Sequence, residues 1–370
     1  MTRTPRPLVL SHTGNPQAPL HQRETSRSLA RWLAGIRGLE YGGDYDPARH
    51  AGQHCYLVPT QTVEGPEQAR LLQVNGPDDL LGGYVEHAFM ATKVIAHPLV
   101  SARAARPQGW VDAFAARIRG CVLPGFSVFS RQDALLAAQQ LLRHGSVRLK
   151  AARASGGREQ WQASSENEVR EWLNEPQCDA MLAGGLVIEQ DLADCQTFSV
   201  GQLRIEAHLL SYFGSQHLTP DHDGHSAYGG SDLVVVQGDY AELLKLDLAE
   251  PVRQAINQAR CFDAAADALL SGFYASRRNY DTLLGLDARG QPRAGVLEQS
   301  WRIGGASSAE IAALQAFIDN PQLHAVRASS FERFEDKPLP ANATVIFRGE
   351  DDEVGFLLKY AMVEAYDGQE

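Results

Sequence analysis

The chain has 370 residues, enough for two or three domains of ~150 residues and a large hydrophobic core, so folding requires neither disulfides nor a structural metal. Apolar residues make up 44% and charged residues 21%, which excludes a disordered or fibrous chain. The net charge of −11 disfavours sequence-independent nucleic-acid binding, because such binding needs a basic surface against the phosphates.

The apolar runs of the sequence are strand-sized and fall short of the ~18–20 residues that cross a bilayer. The run at residues 8–10 is too short for a secretion signal, so we expect a cytoplasmic protein without membrane contact. The cysteines are odd in number and lack a C-x-x-C pair, which predicts reduced, mostly buried thiols. They are Cys55, Cys121, Cys178, Cys195 and Cys261.

The N-terminal part predicts a small α/β domain, with strands at 8–10 and 56–58, a helix at 26–36 and glycines between them. Ser130 with Asp133 predicts a helix N-terminus, and Gly145 ends that helix. The later elements are predicted, in chain order, as a strand at 147–150, a helix at 166–173, strands at 186–188 and 197–212, a polar loop at 217–231, a helix at 251–270, a strand pair at 280–286 and 294–302, a helix from a capping box at 307–310 to 318, and a hairpin at 344–366 that turns at 350–353.

The chemistry is concentrated in residues 296–305, which read Val-Leu-Glu-Gln-Ser-Trp-Arg-Ile-Gly-Gly. Because alternate side chains of a strand share a face, Glu298, Ser300 and Arg302 are expected on one face. The opposite face is expected to carry Leu297, Trp301 and Ile303. The polar face suits a hard cation with phosphate ligands, and the glycines lead into a helix N-terminus that can bind an anion. The alternative is an edge strand with a solvated polar face.

Asp281 lies on the preceding predicted strand, which can fold back and bring it beside Glu298. Two buried carboxylates repel each other unless a cation or a proton lies between them. The pair therefore indicates a Mg²⁺ site.

A phosphate site is indicated where Lys150 is followed by the small-residue turn Ser155, Gly156 and Gly157. The alternative for this turn is a simple hairpin. The apolar strand at 186–188 runs into polar residues that can contact a purine and its ribose, or that simply form a solvated strand end. These residues are Glu189, Gln190, Asp191 and Leu192.

Taken in order, these pieces resemble the ATP-grasp superfamily over residues 90–320, starting with a further lysine, Lys93. The resemblance implies that Lys93 and Lys150 contact the α- and β-phosphates of ATP, with the glycine turn over the β/γ end. It implies that residues 189–192 form a hinge that contacts adenine, with Asp191 or Asp194 on the ribose. It further implies that Asp281, Glu298 and Ser300 bind Mg²⁺, and that Arg302 acts with Glu298 in catalysis by holding an acyl-phosphate or its carboxylate.

Two departures from the family pattern affect the metal site. The family usually has Asn two residues after the second carboxylate, where this chain has Ser300, and the gap between Asp281 and Glu298 is longer than in compact members. Together with residues 199–202 and 228–231, the segment 298–302 is similar to a bacterial subgroup without an assigned substrate.

The implied fold class is α+β, with two ATP-grasp-like lobes that enclose a nucleotide cleft after a small α/β N-terminal domain. The expected segments are the N-terminal domain at 1–88, a linker with the first ATP-grasp segment at 89–145, the small lobe at 146–215, the large lobe at 216–325 and a C-terminal hairpin at 326–370.

The resemblance implies a Mg²⁺- and ATP-dependent ligase that activates a small-molecule carboxylate as an acyl-phosphate for attack by an amine or similar nucleophile. Small-molecule substrates are the expected partners, and homo-oligomerisation stays open. A non-catalytic nucleotide-binding module is the first alternative, and a metallohydrolase that uses His222 and His225 is the second. A polar strand face is either an acceptor pocket or a solvated surface; it carries Gln202, Arg204, Glu206 and His208.

Overall fold

The computed structural model describes residues 7–15, 17–153 and 160–368. The predicted phosphate-site residues Ser155, Gly156 and Gly157 lie outside these ranges. The strands are β1 (Leu8–His12), β2 (Glu40–Asp44), β3 (Cys55–Pro59), β4 (Val63–Glu64), β5 (Gly83–Val85), β6 (Gly125–Val128), β7 (Val147–Ala151), β8 (Gln160–Ala163), β9 (Leu186–Gln190), β10 (Ala193–Ile205), β11 (His208–Pro220), β12 (Ser226–Gln237), β13 (Tyr274–Ala275), β14 (Arg277–Leu286), β15 (Pro292–Ser300), β16 (Ala325–Arg333), β17 (Thr344–Asp351) and β18 (Gly355–Ala365).

The α-helices and 3₁₀ turns connect these strands. The α-helices are α1 (Leu20–Ile36), α2 (Pro47–His50), α3 (Gly65–Leu72), α4 (Asp112–Ile118), α5 (Arg131–Leu141), α6 (Glu166–Leu173), α7 (Cys178–Gly184), α8 (Tyr240–Leu243), α9 (Glu250–Leu269) and α10 (Ser307–Asp319). The 3₁₀ turns are Pro77–Asp79, Ala88–Ala91 and Lys93–Ala96.

The strands form a mixed α+β arrangement of several sheets. The largest is antiparallel, with strand order β15-β14-β10-β11-β12-β16-β18-β17. A four-stranded antiparallel sheet has the order β6-β9-β7-β8, and a parallel sheet near the N-terminus has the order β2-β1-β3. The small sheet β13-β5-β4 joins the N-terminal region to the segment that leads into β14.

The large sheet is covered on both faces, which explains its buried apolar strands. One face packs on α9, where Phe262 and Tyr280 belong to the same core cluster. The other face packs on α10 and α1, where Tyr212 and Phe317 belong to a second cluster. Alternate residues of each strand therefore enter different environments, and the polar residues discussed below lie on the α10 side.

Several predicted elements are confirmed with their local causes. Ser130 caps α5 by accepting a hydrogen bond from the backbone N–H of Asp133. The helix at 166–173 is α6, and the C-terminal hairpin is β17 and β18. The predicted capping box at 307–310 is wrong, although the helix forms, because the Glu310 side chain is buried in an ion pair with Arg277.

Two predictions in the middle of the chain are wrong. The single strand at 197–212 is a hairpin of β10 and β11, and the chain reverses at Glu206, whose φ is 54°. No glycine or proline marks this turn, so the alternating pattern runs through it unbroken. The polar loop at 217–231 is mostly strand, because His217 in β11 pairs with Gly230 in β12.

The cysteines differ from the prediction of reduced thiols. Cys121 and Cys261 form a disulfide with a Cα–Cα distance of 6.6 Å, while Cys55, Cys178 and Cys195 are free. The pair meets because α4 packs on α9, and no sequence spacing could reveal that contact. None of the described helices is both long and apolar enough to cross a bilayer.

Candidate active site

The predicted carboxylate pair forms on the strand pair β14 and β15. The register places Asp281 opposite Glu298 and Asn279 opposite Ser300. Directly opposed residues of an antiparallel pair project to the same face, so these four side chains share one side of the sheet. The expectation that Asp281 lies beside Glu298 is confirmed.

A β-bulge at Leu297 sets the direction of the site residues. Thr282 pairs with Val296, so Leu297 is the extra residue before Glu298. Val296 consequently enters the α9 core, whereas Glu298 turns to the opposite face. Trp301 is buried on the α9 side against Phe273, as predicted.

Ile303 is an exception to the predicted alternation. It packs in the cluster around α10, because the strand ends at Ser300 and the backbone turns before the helix.

Burial has the largest effect on the pKa of Asp281, and repulsion by the Glu298 carboxylate is second. Burial and the neighbouring Glu298 raise the pKa of Asp281 to about 7, even though Arg277, Lys93 and Arg302 act in the opposite direction. Lys93 is buried, and its Nζ lies 2.5 Å from Glu298 Oε2. Burial and the second carboxylate thus outweigh the three neighbouring cations and make Asp281 difficult to ionise.

Arg302 and the start of α10 lie next to this centre. Arg302 Nη1 donates to the Ile303 carbonyl at 2.9 Å, and burial together with Arg277 lowers the pKa of Arg302. The Tyr228 hydroxyl packs so closely on Gly305 that a Cβ there would lie 2.3 Å from it. Burial raises the pKa of Tyr228 to about 12, so its hydroxyl stays a donor at neutral pH. A guanidinium, a phenol and a helix N-terminus therefore converge at one edge of the site.

A buried polar network supports the pair from the α10 side. Arg277 forms a two-point ion pair with Glu310, with Nε–Oε2 and Nη2–Oε1 distances of 2.8 Å. Tyr212 donates its hydroxyl to Glu310 at 2.6 Å, and Asn279 donates to Tyr212 at 3.1 Å. Sequence reasoning missed this network, although Arg277, Asn279 and Asp281 alternate along β14 and could have indicated a polar face.

A second charged centre lies on the four-stranded sheet. Glu189 is buried, pairs with Lys150 and lies 3.0 Å from His97 Nε2. Burial alone would raise the pKa of Glu189, but Lys150 and His97 outweigh it and hold the pKa at about 2. This carboxylate is therefore ionised at any ordinary pH.

The segment around the 3₁₀ turn Lys93–Ala96 links the two centres. Lys93 reaches Glu298 on the large sheet, and His97 reaches Glu189 on the smaller one. Gln299 anchors the segment, because its Nε2 donates to the carbonyls of Met90 and Thr92 at 2.9 Å each.

The remaining residues of the predicted hinge are held by the smaller sheet and its neighbouring segments. Asp191 accepts from Arg148 Nε at 2.8 Å and from Gln162 Nε2 at 2.6 Å, which leaves it little capacity for a ribose. The Gln190 backbone N–H donates to the Pro124 carbonyl at 2.8 Å, and Leu192 is buried.

The other candidate clusters behave differently from expectation. His222 does not join His225, because His222 Nε2 donates to the Phe356 carbonyl at 3.0 Å. His225 instead groups with Asp221 and Asp223 in an exposed turn.

Arg204 and Glu206 form ion pairs with N-terminal residues rather than lining the carboxylate site. Arg204 Nη2 lies 3.1 Å from Asp78, and Glu206 lies 2.9 Å from Arg37 Nε.

Comparison with solved structures identifies proteins of similar fold. Phosphoribosylamine–glycine ligase from Thermotoga maritima matches with a TM-score of 0.53 and 12% sequence identity, over 97% of this chain and 92% of that chain. D-alanyl-alanine synthetase A from Vibrio cholerae O1 biovar eltor matches with a TM-score of 0.45 and 11% identity, over 80% of this chain and 89% of that chain. The first likeness supports an ATP-grasp-like fold and leaves the subgroup open.

Comparison with protein sequences gives one family and no individual relative. No curated protein matches the chain. Residues 9–361 match a family model described as "Protein of unknown function (DUF3182)". Since this match spans nearly the whole chain, the protein belongs to the DUF3182 family.

Proposed function

We propose that the protein is an ATP- and Mg²⁺-dependent ligase that activates a small-molecule carboxylate as an acyl-phosphate and joins it to an amine or similar nucleophile. The observation that supports this most is the Asp281–Glu298 pair, opposed on one sheet face beside the buried Lys93. The ATP-grasp-like fold is consistent with the same reaction class.

The donor set fits a hard divalent cation. Mg²⁺ takes oxygen ligands, usually one or two protein carboxylates together with substrate phosphates. The raised pKa of Asp281 reflects burial and repulsion by Glu298, and a cation bound between the two carboxylates would stabilise their charged forms. Asp281 and Glu298 would hold the metal with Ser300 beside them, and the bound ion would supply charge neutralisation at the transferred phosphoryl group.

The nucleotide would lie between the smaller sheet, whose strands fall within residues 125–190, and the large sheet, whose strands fall within residues 193–365. Lys93 and Lys150 would exchange their present carboxylate partners for phosphate oxygens, since each is a buried cation whose ammonium group contacts a carboxylate. Gly156 and Gly157 would cover the terminal phosphates, and residues 189–192 would contact the adenine through backbone groups and Leu192.

The residues at the start of α10 would handle the acyl group. A substrate carboxylate oxygen attacks the γ-phosphorus and ADP leaves; the amine then attacks the acyl carbon, phosphate leaves and the amine loses a proton. Arg302 would hold the substrate carboxylate and then the acyl-phosphate, because its planar fork matches both groups. Tyr228 and the α10 N-terminus would add hydrogen-bond donors where negative charge develops.

The test is an assay of the full chain with ATP, Mg²⁺ and pools of small carboxylates and amines. We expect ADP and phosphate in equal amounts, dependent on both substrate pools and abolished by EDTA. Binding of ATP and Mg²⁺ by calorimetry without ADP release under any pool would favour the non-catalytic module, for which the short Ser300 side chain argues. Absence of nucleotide binding would overturn both.

A further inference from the structure

Asn279 is a buried residue with one unused polar atom. It is 7% exposed, and its Nδ2 donates to Ser199 Oγ at 2.6 Å and to Tyr212 Oη at 3.1 Å. Its Oδ1 has no hydrogen-bond partner among the described residues, yet protein does not enclose it. A buried amide with a free, reachable oxygen is unusual, since buried polar groups are nearly always paired.

The surrounding network determines which way this amide points. The Glu310 carboxylate, ion-paired with Arg277, can only accept, so Tyr212 gives its proton to Glu310 at 2.6 Å. The Tyr212 oxygen is then left to accept, and it does so from the Asn279 amide. The chain Arg277–Glu310–Tyr212 therefore holds the Asn279 N–H groups on one side and leaves Oδ1 on the other.

The free oxygen lies on the face that carries the carboxylates. Asn279 precedes Asp281 by two residues on β14, and it stands opposite Ser300 as Asp281 stands opposite Glu298. Ser300 has a shorter side chain than Asn279, and its hydroxyl makes no hydrogen bond in the described part of the chain. A neutral amide oxygen adds a donor atom for a hard cation without adding to the repulsion between two carboxylates.

We propose that Asn279 Oδ1 is the third protein oxygen of the divalent-cation site, together with Asp281 and Glu298, and that Ser300 does not supply it. Tyr212 and Glu310 are positioning residues that orient the amide. This inference rests on the proposed function, because it takes the Asp281–Glu298 pair as a metal site. The family pattern places an asparagine at the position of Ser300. The ligand proposed here lies on the neighbouring strand, at Asn279, directly opposite Ser300.

The test uses Mn²⁺ as the probe, with its binding to the full chain followed by electron paramagnetic resonance of the free ion. We expect Asn279→Ala to weaken Mn²⁺ binding on the order of 10-fold or more, and Ser300→Ala to change it by less than about 3-fold. The double variant N279S/S300N returns an amide to the same face from the other strand, so it is expected to recover most of the affinity. Thermal unfolding of each variant checks the fold.

A second variant keeps Asn279 in place. Tyr212→Phe removes the acceptor that orients the amide and is expected to weaken Mn²⁺ binding several-fold, which a purely structural Asn279 would not explain. Wild-type affinity in both N279A and Y212F, or a larger loss in S300A than in N279A, would overturn the proposal and leave the proposed function standing. If the wild-type chain binds no Mn²⁺, the metal site itself fails, and with it this inference.

Discussion

The two charged centres of the protein shift the pKa of a buried carboxyl group in opposite directions. On the large sheet, Asp281 and Glu298 stand opposite each other, and burial together with repulsion by Glu298 raises the pKa of Asp281 to about 7. On the smaller sheet, the single carboxylate of Glu189 faces Lys150 and His97, which hold its pKa at about 2.

The difference indicates what each centre can accept. In the first, burial and a second carboxylate make Asp281 difficult to ionise, so a divalent cation bound to both carboxylates lowers their electrostatic energy. In the second, the buried Glu189 carboxylate holds the Lys150 ammonium in place. A phosphate group can therefore compete for a cation that is already positioned. A nucleotide with its metal would use both centres, and the segment from Lys93 to His97 touches each of them.

The largest expected effect is at the Asp281–Glu298 pair. Glu298→Gln keeps the shape of the side chain but removes one of the two opposed charges, so we expect ATP turnover to fall by ~10³-fold, comparable to the loss of a major transition-state contact. The matched control is Glu242→Gln, which removes the acid of a solvent-exposed Lys–Glu pair and should leave turnover unchanged. Wild-type turnover in E298Q would remove this residue from the metal site.

The next effect concerns the stability of the second centre. Lys150→Met leaves Glu189 buried without its ammonium partner, so the free energy of unfolding should fall by about 3 kcal/mol, the lower end for a broken buried pair because His97 remains. The double variant K150M/E189Q should regain most of that loss in denaturant titrations. Calorimetry then compares the ATP affinity of the double variant with that of the wild-type chain, which tests the Lys150–phosphate contact separately from stability. Equal ATP affinities would exclude that contact.

A further expected effect is the pH dependence of the Asp281–Glu298 pair. Because the folded pKa of Asp281 lies near 7 and the ordinary value is 3.8, the folded state retains a proton that the unfolded state loses between these pH values. The protonated Asp281 carboxyl therefore makes its full contribution to the stability of the metal-free protein at low pH. This contribution is lost as the pH rises through 7. Asp281→Asn should flatten that decline.

Mg²⁺ binding should show the reverse dependence, since the metal displaces the proton. We expect affinity to fall by ~10-fold per pH unit below 7, equal to about 1.4 kcal/mol, in titrations at pH 6 and pH 8. Equal affinity at the two pH values would show that Asp281 is not a ligand or that it is ionised throughout.

Some features of the site follow from the sequence because they are local. Asp281 and Glu298 lie on consecutive strands joined by a short turn, so their pairing needs only a hairpin. The alternation of Glu298 and Ser300 follows from the two-residue period of a strand. Nothing in the sequence indicated the bulge at Leu297. Because the bulge precedes Glu298 and Ser300, these two side chains still share a face.

Other features depend on contacts between distant segments. The Arg277–Glu310 pair and the orientation of Asn279 require α10 to pack on the large sheet. The capping-box prediction at 307–310 was wrong for the same reason, because a buried arginine offers Glu310 a stronger partner than a helix N–H.

By itself, the sequence determined the helix that follows the site, the hairpin that joins the two carboxylates, and the order of chemical groups that resembles ATP-grasp proteins. Only the tertiary structure decided which cation meets which carboxylate: Lys93 with Glu298, and Lys150 and His97 with Glu189. The physical reason is that strand periodicity is a short-range property of the backbone, whereas the pairing of buried charges depends on which distant segments pack together.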